Sequence, residues 1–273
     1  MKQLGKIREQ DEQGFVLLAV LALTGAIGAL ALAVSLVTRD DYAETKLARD
    51  LALARLHADN AIVRSIAALG DPGDSLHGPI LQSSSAFPLA EQGVLVNLRI
   101  EHESGKIDLN RASPEFIANV LGRIAPNAAS AMLGRILDMR TRGTFIADVR
   151  SILSAEQQFE PINRDITEVF TVLSGARGIT PDRASPTVLA SIPGILPEEL
   201  ELLVQGRRVA GANLSPIMVK YQAYFSPGRP VYTFRASVAQ KGLPPVGRKA
   251  TIAFGNLPVR NRTDLAILEW SDE

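Results

Sequence analysis

The chain has no cysteine. Thiolate catalysis, disulfides and Cys-ligated metals are excluded, while the redox compartment stays open, because an oxidising space permits disulfides without requiring them. There is no surplus of charge either. Lys and Arg number 29 and Asp and Glu 29, whereas a dedicated nucleic-acid binder usually carries a strong basic excess. Histidine is scarce: His57, His77 and His102 are scattered, and none has zinc-site spacing. Nor is there a G-x-S-x-G elbow, a P-loop or a complete dinucleotide fingerprint. The chain is therefore expected to be no enzyme and to hold no metal and no cofactor.

One further absence is local. Residues 15–38 contain no Asp, Glu, Lys or Arg and are rich in Val, Leu, Ile and Ala. At 1.5 Å per residue the run reaches roughly 36 Å, enough to cross a ~30 Å hydrocarbon core. It is too long for a signal-peptide h-region, and no A-x-A site follows it. In the leader, Lys2, Lys6 and Arg8 are matched by Glu9, Asp11 and Glu12. Counted by Lys and Arg alone, the leader is cytoplasmic and the bulk of the chain lies across the membrane.

Past the run, no Pro or Gly occurs from Asp40 to Leu69. Leu47, Leu51, Ala54, Ala58, Ile62, Ile66 and Leu69 recur at spacings of three and four, which predicts an amphipathic helix continuous with the membrane run. It stops at Gly70-Asp71-Pro72-Gly73. Residues 78–92 read as a Ser- and Pro-rich loop. Alternation predicts a strand over 93–102, and the end of the chain returns to strands over 232–239, 248–254 and 265–270. Helical patterns dominate from Ser113 to about Gln205. A helical block between one strand and a later group of strands reads as an insertion into an α+β domain. The expected organisation is a leader (1–14), a transmembrane helix (15–38), the soluble half of the helix with a loop and first strand (39–102), a helical insert (103–210) and C-terminal strands (211–273).

The insert contains a repeat. Residues 107–117 align with 179–189, and Arg-Ala-Ser-Pro is identical in both copies. Ser113 and Ser185 are good N-caps, with Pro114 and Pro186 at the first helical position. Asn110 and Asp182 can fold back onto backbone N–H groups ahead of each helix. The second copy continues into Pro193-Gly194-Ile195 and a helix opening Glu198-Glu199-Leu200-Glu201. This resembles a helix-hairpin-helix motif, which in many proteins holds a DNA phosphate. Those carboxylates would repel a phosphate at that helix end, which favours a structural hairpin. Glu101 and Glu103, facing opposite to His102 in a strand, read as solvated strand-end residues. Asp138, Arg140 and Arg142 read as a solvated helix end.

Gly14-Phe15 followed by the apolar run resembles a class III prepilin signal, which a prepilin peptidase cuts after Gly, methylating the new N-terminal Phe. The strand and turn ending in residues 100–110, the stretch Gly143-Thr144-Phe145-Ile146-Ala147-Asp148-Val149, and the second Ser-Pro copy, in this order, resemble the K-type minor pseudopilins (GspK family) of type II secretion systems. The resemblance implies a pilin-like fold, with a long N-terminal helix on a small antiparallel sheet and a helical insert. It implies cleavage between Gly14 and Phe15 and N-methylation of Phe15. Most pilins carry Glu at the fifth position after the cut. Here that residue is Ala19, as the K-type family implies for a subunit at the fibre tip. A single-pass inner-membrane location with a periplasmic bulk is implied too. The implied partners are I- and J-type minor pseudopilins, the major pseudopilin, the prepilin peptidase and membrane lipid, and no nucleic acid. Some members bind calcium, but Arg140-Thr141-Arg142 offers no carboxylate cluster for a hard cation. The competing reading is a membrane-tethered helix-hairpin-helix DNA-binding protein of a competence-like system.

Overall fold

The computed structural model describes residues 3–82, 86–155, 157, 161–207, 213–255 and 264–272; the side chains of 3–17, 19, 36, 37, 39, 40, 43, 81, 82, 164 and 264 lie outside it. The chain is α+β. It divides into two compact units, Met1–Ala54 with Lys241–Leu243, and Arg55–Gln240 with Pro244–Glu273.

Helix α1, Gln3–Gly70, is one element of 68 residues. It begins well before the apolar run. The side chains described between Leu18 and Val34 are exposed, among them Leu21, Leu23, Ile27, Leu30 and Leu32. Among the described residues no helix is long and apolar enough to cross a membrane. The uninterrupted uncharged stretch with described side chains, 20–35, is about 24 Å long, short of the ~30 Å hydrocarbon core. The side chains at 15–17, 19, 36 and 37, which complete the expected span, lie outside the description.

The last part of α1 buries Ala58, Ala61, Ile62, Ser65 and Ala68. Of the expected face, Ala54, Ala58 and Ile62 are buried, whereas Leu47 is exposed and Leu51, Ile66 and Leu69 are only half-buried. Small side chains carry the contact because they let a helix backbone approach a sheet closely. Asp59 ties this stretch to the sheet, accepting from Arg248 Nε at 2.7 Å and Trp270 Nε1 at 3.0 Å.

After α2 (His77–Gln82) come β1 (Phe87–Glu91) and β2 (Val94–His102). The sheet is completed far along the chain by β5 (Val231–Val238), β6 (Val246–Gly255) and β7 (Asp264–Asp272). All neighbours are antiparallel in the order β1-β2-β5-β6-β7. Between β2 and β5 lie β3 (Ile107–Asp108), α3 (Pro114–Ile124), α4 (Ala129–Thr141), α5 (Ile162–Val169), β4 (Phe170–Thr171), α6 (Pro186–Ala190), α7 (Pro197–Gly206) and α8 (Ser215–Lys220). A single apolar cluster joins these helices, with Ile107, Phe116, Leu121, Ile136, Ile166, Phe170, Ile179, Leu189 and Leu203 at its centre.

Candidate functional site

Both Ser-Pro copies start a helix in the same way. Ser113 Oγ accepts from Phe116 N at 3.2 Å, and Ser185 Oγ accepts from Val188 N at 3.3 Å. Pro114 and Pro186 occupy the first turn. Each copy is introduced by a short parallel pairing: Ile107 with Phe170 in the first, Ile179 with Phe225 in the second. Each is also closed by an arginine from the end of its second helix. Arg140 donates from Nε to Leu109 O and from Nη1 to Ala112 O, both within 2.8 Å. Arg207 Nη1 donates to Ala184 O at 2.7 Å. Ala112 and Ala184 are equivalent positions. Arg140 is thus no solvated helix-end residue, although the Asp138–Arg142 pair is exposed as expected.

Asn110 does not fold back onto the following backbone. Its side chain exchanges two hydrogen bonds of 2.9 Å with the N–H and C=O of Ile146. The fold-back belongs to Asp108, whose Oδ1 accepts from Asn110 N and whose Oδ2 accepts from Gly175 N and Ser174 Oγ. Asp182 is exposed. The stretch 143–149 begins at a helix C-terminus: Gly143 has φ +71°, Gly143 N donates to Arg140 O and Thr144 N to Met139 O, a Schellman end to α4. Phe145 is exposed and Ile146 is buried.

The Pro193–Gly194 hairpin is built around a carboxylate. Gly194 has φ +73°. Glu199, in the first turn of α7, reaches back to accept from Leu196 N at 3.0 Å. It also holds Lys220 Nζ at 2.6 Å, and the Tyr221 hydroxyl lies 2.6 Å from its other oxygen and 2.7 Å from Gly194 O. Hydrogen bonds from Lys220, then Tyr221, then the Leu196 amide pull the Glu199 carboxyl down to about 2. The α7 N-terminus, where a helix-hairpin-helix protein would seat a phosphate, is occupied by the chain's own anion. Gly194→Val is expected to cost about 1–3 kcal/mol through backbone strain. Arg207→Ala should cost about 1 kcal/mol by orphaning Ala184 O; denaturant unfolding measures both. Arg208 lies outside the described residues.

The largest departure from the sequence reading is at the end of β2. The strand stops at His102, and Glu103–Gly105 form a 3₁₀ turn. Glu103 is therefore buried, not solvated, and so is Lys106. Lys106 Nζ bridges Glu101 Oε2 and Glu103 Oε1 (3.1 Å) and donates to Thr167 O. Glu103 accepts from Thr171 and Thr233, and so joins the helical segment to the sheet. Glu101 also faces Arg99 and Arg235, each at 3.2 Å. Burial pushes the Glu101 carboxyl up, but Lys106, Arg235 and Arg99 outweigh it and the net shift is down. Burial likewise pushes Lys106 down, and Glu103 and Glu101 turn the shift upward.

His102 takes the other side of the strand. Its Nδ1 lies 2.7 Å from Ser104 Oγ and its ring packs on Tyr232 at 4.4 Å. Burial, then the charge of Arg183, lowers it to about 4. An unfolded His titrates near ~6.5, so both states are neutral above that pH. As pH falls from about 6.5 to 4, only the unfolded chain gains the proton, and about 2–3 kcal/mol of stability is lost. His102→Gln should flatten unfolding free energy across that window. Ser104 itself is buried.

Among the described residues no group of three or more His, Cys, Asp or Glu is placed to hold a metal ion. Gly14 and Phe15 lie in α1, but the side chains of Phe15 and Ala19 are outside the description. The two hairpins and the Glu101–Glu103–Lys106 junction anchor segments to one another.

No protein-family model matches the chain, and no curated protein does. Among solved structures, it is similar to a chain of the GspK–GspI–GspJ complex of the type 2 secretion system of enterotoxigenic Escherichia coli. The TM-score is 0.49 at 11% identity, over 86% of this chain and 99% of that one. At this level of likeness no family membership is shown.

Proposed function

We propose that the chain is a minor pseudopilin of K type, a structural subunit that begins or caps a short fibre serving protein export across the outer membrane. The observation that carries this reading is the run from Leu18 to Val34. It is helical and apolar, and its described side chains are exposed. Such a helix needs apolar surroundings from outside the chain, either lipid or neighbouring helices. Its position supports the reading too: it follows Gly14-Phe15 and belongs to the helix that ends on an antiparallel sheet, which the two Ser-Pro hairpins interrupt. Ala19 replaces a carboxylate that would cost roughly 2.5–3.5 kcal/mol in lipid, which suits a subunit with none above it. I- and J-type minor pseudopilins and the major pseudopilin are the proposed partners, at the periplasmic face of the inner membrane. Glu199, filling the α7 N-terminus, weighs against the DNA-clamp reading.

Mass spectrometry of the membrane-bound protein tests the proposal. The mature chain should begin at methylated Phe15, and Gly14→Leu should leave it uncut. An N-terminus at Met1, or a cut beyond Thr38, overturns the reading.

A further inference from the structure

The two edges of the five-stranded sheet are treated differently. β1 is five residues long and contains the exposed Pro88, which has no N–H to offer; both features blunt an edge against pairing. β7 is nine residues long and has neither Pro nor Lys. Its strand partner among the described residues is β6. Leu265, Ile267 and Leu268 are 42%, 59% and 49% exposed. A register shift opposite Thr251 and Ile252 leaves Leu268 without a partner in β6. An exposed apolar edge of this length is a template for an added strand.

The charge of β7 says what kind of strand. Its sequence carries Asp264, Glu269 and Asp272 and no basic residue. Glu269 and Asp272 pair inward with Lys249 and Arg248, yet their side chains remain 45% and 63% exposed. Two copies of β7 side by side, parallel in register or antiparallel about Leu268, would set carboxylate against carboxylate, which disfavours pairing. A strand with Lys or Arg beside apolar residues has no such conflict. We infer that β7 is a docking edge for an extended segment of a different polypeptide, with apolar side chains at alternate positions and a basic residue meeting Glu269 or Asp272. This rests on the sheet alone and stands whether or not the chain assembles into a fibre.

The probe is a labelled peptide as long as β7, alternating valine with lysine and threonine, titrated against the full chain in detergent micelles and read by fluorescence anisotropy. Saturable binding is expected. It should weaken about tenfold or more when glutamate replaces lysine, and when alternate peptide amides are N-methylated, which removes main-chain donors. Ile267→Lys, at an exposed position, should weaken it similarly. The N-methylated peptide keeps the test independent of any effect of that substitution on folding. Absence of saturable binding to about 1 mM, or binding indifferent to peptide charge, to N-methylation or to Ile267→Lys, overturns the inference. So does a disulfide-linked dimer of Leu268→Cys under mild oxidation. That cysteine would be the chain's only one, and the dimer would make the occupant a second copy.

Discussion

Lys106→Met is expected to destabilise the second compact unit by about 3–5 kcal/mol, the range for removing one partner from a buried ion pair. The ammonium is the cation hydrogen-bonded to Glu103, whose carboxylate also accepts from the hydroxyls of Thr171 and Thr233. Glu101 keeps Arg99 and Arg235, so the orphaned charge is that of Glu103. Adding Glu103→Gln to Lys106→Met should therefore recover stability, by about 1–2 kcal/mol, although Glu103→Gln alone should be destabilising. Urea unfolding followed by the single tryptophan, Trp270 in β7, reports on this unit. A double variant less stable than the unsubstituted chain by the sum of both single effects would show that the two residues act independently.

The same junction shows where the sequence is legible. The sequence locates β2, β5, β6 and β7 to within two residues; β2 and β5 bury apolar side chains on one face, whereas no described side chain of β7 is fully buried. It misses β1, where Pro88 and a short edge imitate a loop. It also misplaces Glu103. The parity rule that puts Glu101 and Glu103 on one face holds, since both meet Lys106, but a shared face does not tell a buried carboxylate from a solvated one. The available signal is the lysine three residues on, a spacing that brings a 3₁₀ residue back over its partner.

The Ser-Pro repeats are legible for a different reason: caps act through neighbours in sequence, so Ser113 and Ser185 need no tertiary information. Asn110 does. Its partner, Ile146, is far along the chain and is held there by the end of α4. Arg140 and Arg207 act over similar distances, and no local pattern separates an arginine that closes a hairpin from one in solvent. On α1 the helical period is legible and its buried face in part: Ala54, Ala58 and Ile62 are buried as expected, and the leucines are not. Leucine outweighs alanine in a hydrophobic pattern, whereas the closely packed stretch is Ala58, Ala61, Ser65 and Ala68.

Gly105→Ala is expected to be as damaging as the loss of Lys106, for a steric reason. Gly105 is buried at the point where the turn after β2 meets the start of the second repeat. A Cβ there would lie 2.2 Å from Arg183 O, 2.5 Å from Arg183 C and 2.8 Å from Ala184 N. These are backbone atoms held in place: Ala184 N donates to Thr180 O, Thr180 N donates to Ser104 O, and Arg207 clasps Ala184 O. No side chain can swing aside, so the two segments must separate. The expected cost is about 3 kcal/mol or more, at the upper end of overpacking effects. Gly122 is the control. It lies within α3, and a methyl group added there would meet nothing within 4 Å, so Gly122→Ala should stabilise by roughly 0.5–1 kcal/mol through helix propensity. Opposite signs for the same glycine-to-alanine change, measured by urea unfolding, would establish that the turn and the second repeat are in contact. A neutral Gly105→Ala would show that they are not.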